Sequence, residues 1–149
     1  MAKQPQFHLQ PILNYKAGMV DTLEVQFARL KNSHKNEVDT LQKLDQVKQQ
    51  GEQALNQRQQ EGELDCQAIQ LHQQYLRSLE QNLAQQSARV ATSKSQLETK
   101  RTELIKTMQD QETLAKLREQ EQAEHQKEML RHEARTVDDL VITRHGQKR

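Results

Sequence analysis

Gln60-Glu61-Gly62-Glu63-Leu64-Asp65 is the stretch where a long leucine repeat loses its large apolar residues, because the repeat positions fall here on Arg58, Gly62 and Asp65. Glycine populates φ > 0 without a Cβ clash and commonly follows a helix end. Aspartate is a favoured N-cap, since its carboxylate accepts the free N–H groups of the next helix. The stretch therefore reads as a hinge at about residues 61–65, with Gly62 and Asp65 as its working residues. Folding there gives an all-α chain, an antiparallel coiled-coil hairpin with helix one over about 8–60 and helix two over about 66–142.

The repeat on either side supports this. Before the hinge, spacings of three and four pick out Leu9, Leu13, Lys16, Val20, Leu23, Phe27, Leu30, His34, Glu37, Leu41, Leu44, Lys48, Gly51 and Leu55. After it they pick out Ile69, His72, Leu76, Leu79, Leu83, Gln86, Val90, Ser93, Leu97, Lys100, Leu104, Thr107, Gln111 and Leu114. Alternating steps of three and four keep one seam facing a partner helix, and polar intrusions such as Lys16, Glu37 and Lys48 weaken the seam but can fix its register. A fold at Gly62 brings level positions whose numbers sum to 124, among them Leu55 with Ile69, Leu41 with Leu83, Phe27 with Leu97 and Val20 with Leu104. The heptad phase also runs unbroken through the hinge, so a continuous helix in a parallel dimer satisfies the same spacing. An isolated glycine in a helix costs only about 1 kcal/mol. What favours the hairpin is the lack of apolar seam residues from 56 to 68, together with the Gly and the Asp.

Composition agrees with a coiled coil and excludes much else. The chain is 33% hydrophobic and 3% aromatic, with no Trp and 26 glutamines, which is too little bulk for a globular core of this length. Prolines occur only at Pro5 and Pro11, and Pro11 suits a first helical turn, where no N–H is needed. Residues 1–6 read as a disordered leader. No apolar run is long enough to span a bilayer and no signal peptide is evident, so a cytosolic or peripheral protein is expected. The single cysteine, Cys66, rules out an internal disulfide and fits a reducing compartment. Interspersed charges, 22 basic and 21 acidic, favour neither nucleic acid nor lipid, which leaves proteins as partners.

Signals for chemistry are missing from the pattern. Four scattered glycines form no phosphate-binding loop, so no nucleotide cofactor is expected and the chain is not itself an ATPase. The six histidines include no pair at metal-ligand spacing, and His34 and His72 read as polar seam residues. The acidic group Glu119, Glu121 and Glu124 reads as a solvated face without a cavity. No catalytic, metal-binding or cofactor-binding residue is assigned, and the chain is read as a non-enzyme.

Two places stand out for binding. At about 1.5 Å per residue, helix one runs about 75 Å and helix two about 110 Å, so an unpaired overhang is expected from about residue 117. Within it Leu130, Ala134, Val137 and Val141 form a new apolar stripe, shifted in phase from the seam. That stripe suits docking of another protein in a helix-in-groove mode, with fraying in solution as the competing reading. The second place is Tyr75, just off the seam and flanked by Leu76 and Leu79. Exposed tyrosine beside leucine is typical of interface anchors, although a tyrosine lying along the seam edge with its OH in water is equally compatible.

Several segments together resemble the FliJ family of the flagellar type III export apparatus. They are Phe7-His-Leu9-Gln-Pro-Ile12-Leu13-Asn-Tyr15, Gln73-Gln74-Tyr75-Leu76-Arg-Ser-Leu79-Glu80, Lys100-Arg101-x-x-Leu104, Leu114-Ala-Lys116-Leu117, and Val137-Asp138-Asp139-Leu140 with Arg144. The resemblance covers nearly the whole chain. It implies a two-helix antiparallel coiled coil similar to the central stalk of rotary ATPases, in a single elongated domain over residues 1–149. It further implies a cytoplasmic protein, peripheral at the inner face of the cell membrane at the flagellar base. The implied partners are the hexameric export ATPase (FliI-like), the export gate protein (FlhA-like) and export chaperones, with a monomeric chain on its own. Carried onto this sequence, Tyr75, Leu76 and Leu79 would bind the gate, and Leu9, Leu13, Leu130, Val137 and Val141 would bind the ATPase ring. Two alternatives are the equivalent stalk protein of a virulence type III system, and a homodimeric coiled-coil scaffold unrelated to export.

Overall fold

Among the described residues the proline-free sequence after Pro11 is helical except at the turn. In the computed structural model, which describes residues 6–62 and 65–147, α1 spans Gln10–Glu61 and α2 spans Cys66–Gln147. The two helices pack against each other as an antiparallel hairpin, and the described residues contain no strand. The continuous helix that the unbroken heptad phase allowed is therefore not the fold.

The chemistry at each helix end explains where it lies. Leu9 provides the carbonyl for the first helical bond, to the N–H of Leu13 at 2.9 Å, and the N–H of Gln10 reaches the Phe7 carbonyl at 3.0 Å. Pro11 then occupies a first-turn position whose missing N–H leaves nothing unsatisfied. At the far end of α1, Gly62 has φ of 71° and its N–H donates to the Gln59 carbonyl at 3.3 Å. This is the left-handed helix-terminating conformation that glycine adopts without a Cβ penalty. Asp65 caps α2: its Oδ1 accepts the Ala68 N–H at 2.7 Å and its carbonyl accepts the Ile69 N–H at 3.2 Å. Of the hinge, Glu63 and Leu64 lie outside the described residues. At the other end α2 runs to Gln147, past the expected end near 142, with Arg144 and His145 in its last turn.

Each seam position named from the spacing, from Leu9 to Leu55 and from Ile69 to Leu114, is buried or half-buried. The contacts fall into two units. The unit of residues 22–104 contains the turn. Its seam carries polar bridges between the helices: Gln86 Nε2 donates to the Glu37 carbonyl at 2.9 Å and to the Glu37 carboxylate, and His34 Nδ1 lies 2.7 Å from Ser93 Oγ. The Ser93 hydroxyl donates to the Val90 carbonyl, so His34 Nδ1–H is the donor to Oγ. Lys48 lies 3.7 Å from Glu80, Lys100 reaches Gln26 at 3.1 Å, and the Arg101 guanidinium sits 5.7 Å from the centre of the Phe27 ring. The unit of residues up to 21 with 105–149 has Leu13, Val20 and Thr107 buried, with Lys16 paired to Asp110 at 3.2 Å. Facing partners across the seam have numbers summing to between 123 and 128, mostly above the expected 124. The centre of the hairpin therefore lies slightly to the α2 side of Gly62.

Candidate functional site

The Tyr75 site is built on the seam opposite Gly51. Because residue 51 lacks a side chain, His72 can approach α1 and donate its Nε2–H to the Gly51 carbonyl at 2.8 Å. Leu76 closes over the same gap: its Cδ2 would lie 3.2 Å from a Cβ placed on Gly51, and Tyr75 Cε1 would lie 4.0 Å from it. The His72 and Tyr75 rings are tilted at 57° with centres 6.2 Å apart, within the range of favourable aromatic pairing. Tyr75 thus lies beside Gly51 and the His72 ring while half of it faces solvent.

The three residues named for gate binding are consequently placed differently. Tyr75 is 50% exposed, Leu76 is half-buried against Gly51, and Leu79 is only 7% exposed, turned into the seam. Leu71, one helical turn before Tyr75, is 68% exposed and completes an apolar pair on the outer face of α2, since residues four apart are neighbours on a helix. Leu71 was not among the residues singled out from the sequence. Its spacing from Tyr75 was the available signal.

The second site divides in the same way. Leu13 is buried against α2 and Leu9 is half-buried. Near them Arg118 reaches the Gln10 side chain at 3.4 Å, and residues 6–14 line a shallow groove with Arg118 and Gln122. Cover by α1 and the residues just ahead of it thus extends as far as Gln122, a little beyond the expected start of the overhang at 117. Past that point α2 presents Leu130, Val137, Leu140, Val141 and Ile142, each more than half exposed. Leu130 is twelve residues beyond Arg118, about 18 Å along the helix, so Leu9 and Leu13 do not form one patch with the C-terminal stripe. Exposed apolar residues that the spacing did not single out include Ile12 with Tyr15 on α1, and Ile105 with Met108 on α2. All four lie off the seam phase.

Among the described residues no three His, Cys, Asp or Glu side chains are grouped so as to hold a metal ion, and Cys66 is exposed. None of the described helices is long and apolar enough to cross a membrane. Among the described residues α2 offers two exposed apolar surfaces, one at Leu71 and Tyr75 and one toward its C-terminal end. No curated protein and no solved structure matches the chain. A family model described as the flagellar FliJ protein matches residues 5–149. With nearly its whole length covered, the chain belongs to the flagellar FliJ family.

Proposed function

We propose that this chain, a flagellar export component by family, is a non-catalytic, stalk-like adaptor of the type III export apparatus. It binds the hexameric export ATPase through the C-terminal stripe of α2 and promotes ring assembly and hydrolysis. It meets the export gate protein through the Tyr75 face, and it escorts export chaperones. It acts in the cytoplasm, peripheral to the membrane at the flagellar base.

The observation that carries this reading is the run of Leu130, Val137, Leu140, Val141 and Ile142, all exposed on a helix that continues past the groove at Gln122. A fully buried Val or Leu contributes about 1.5–3 kcal/mol. Five residues already one third to one half covered therefore hold on the order of 5 kcal/mol of unrealised burial. That is a modest reserve once the cost of association is subtracted, and it suits reversible docking. The flagellar family match favours this setting over a virulence system.

The test is to add the protein to the purified hexameric export ATPase and follow ring assembly and hydrolysis. Both are expected to rise, and the double variant Val137→Glu with Val141→Glu is expected to lose the effect while keeping its helicity. If the unaltered protein changes neither quantity, the proposal is wrong.

A further inference from the structure

We infer that the terminal stretch of α2 pairs antiparallel with the same stretch of a second copy of this chain, in the register that sets Leu130 against Val141 and Ala134 against Val137. The inference does not depend on ring binding; it assigns a second occupant to the same face.

Length supplies the first argument. The part of α2 beyond the groove at Gln122 is residues 123–147, about 37 Å of helix, centred on Arg135. The register above has its two-fold axis between Arg135 and Thr136. The end of each α2 then comes level with Glu124 of the other copy, just past the groove that ends at Gln122.

Charge supplies the second, and it selects this register from its neighbours. With Ala134 and Val141 at a positions and Leu130 and Val137 at d, the e positions are Glu124, Arg131, Asp138 and His145. All four are exposed, and none makes an ion pair among the described residues. In an antiparallel coil e faces e. The chosen register places Arg131 opposite Asp138 of the second copy, twice by symmetry, and Glu124 opposite His145. Sliding by one layer in one direction brings Arg131 onto Arg131 and Asp138 onto Glu124. Sliding the other way brings Asp138 onto Asp138. A parallel pair would set Glu133 against Asp138, since g faces e in that arrangement. Only the chosen register joins opposite charges, and like charges across an interface exclude the rest.

The association is weak. The apolar layers are small, and at each end Lys127 meets Arg144 of the second copy, a like-charge layer that closes the stretch. A dissociation constant on the order of 100 μM is expected. Pairing covers the stripe at high local concentration, and any docking partner on that face must displace it.

Sedimentation equilibrium of the full chain under reductant, at low salt and across a wide concentration range, tests the inference. The weight-average mass is expected to rise from 17.4 kDa toward twice that value. Arg131→Asp and Asp138→Arg should each weaken association about tenfold, and the two combined should restore it. Both sites are exposed, so helicity by circular dichroism should not change. A mass that stays at the monomer value throughout overturns the pairing. A double variant no better than the single ones overturns the register, and strengthening by Asp138→Arg alone would show a parallel pair instead.

Discussion

Replacing Leu79 and Tyr75 one at a time separates what holds the hairpin from what it offers to a partner. Leu79 is 7% exposed and is one of five apolar side chains classed as buried in the described residues, with Leu13, Val20, Leu23 and Leu55. Leu→Ala in a core costs about 2–5 kcal/mol, depending on how far the site collapses. A two-helix seam has solvent on both flanks and can relax, so the lower end, about 2–3 kcal/mol, applies to Leu79→Ala. For a chain of this length each kcal/mol moves the melting temperature by about 2–4 °C, giving a fall of about 5–10 °C. Tyr75→Ala removes a ring that is half in water and lies beside Gly51, so a loss of about 1 kcal/mol or less is expected. Thermal melts followed by circular dichroism at 222 nm measure the first effect, and binding to the purified export gate protein measures the second. Tyr75→Ala should keep the melt and lose gate binding; Leu79→Ala should lower the melt whatever it does to binding. If Leu79→Ala melts with the unaltered protein, or Tyr75→Ala collapses the helices, the division between seam and surface is wrong.

Leu71→Ala should reduce gate binding with no shift in the melt, because Leu71 projects from the same face as Tyr75; intact binding would remove it from the site. Gly62→Ala should destabilise the hairpin by about 1–2 kcal/mol, since a residue with a Cβ would have to hold φ near 71°, and urea unfolding measures this directly. Asp65→Ala removes the carboxylate that accepts the Ala68 N–H and should cost about 0.5–2 kcal/mol in the same assay, with Asp65→Asn retaining most of it.

The seam was legible because a heptad period needs only side-chain size and spacing, and both are written in the sequence. The hinge was legible because its two residues act locally: Gly62 through its own backbone angle, Asp65 through a hydrogen bond three residues on. The binding surfaces were less so. Leu13 and Leu79 lie on the stripe that the same spacing sends inward, so any contribution to a partner comes through the placement of their neighbours. Leu71 is off that stripe, and nothing in a seam count draws attention to it. The role of Gly51 depends on what α2 places opposite, namely the imidazole of His72 and the end of Leu76. No property of residue 51 by itself predicts that.

The polar residues of the seam show why so thin a core can still choose one alignment. Large apolar residues repeated every three or four positions fit nearly as well when slid by a heptad, so burial alone discriminates poorly between registers. Gln86 against the Glu37 carbonyl, His34 against Ser93 and His72 against the Gly51 carbonyl each fit one alignment only. A slip would leave donors and acceptors half-buried and unpaired, at about 1–3 kcal/mol for each group. These residues give up apolar burial and gain uniqueness, as polar groups at coiled-coil core positions are known to do.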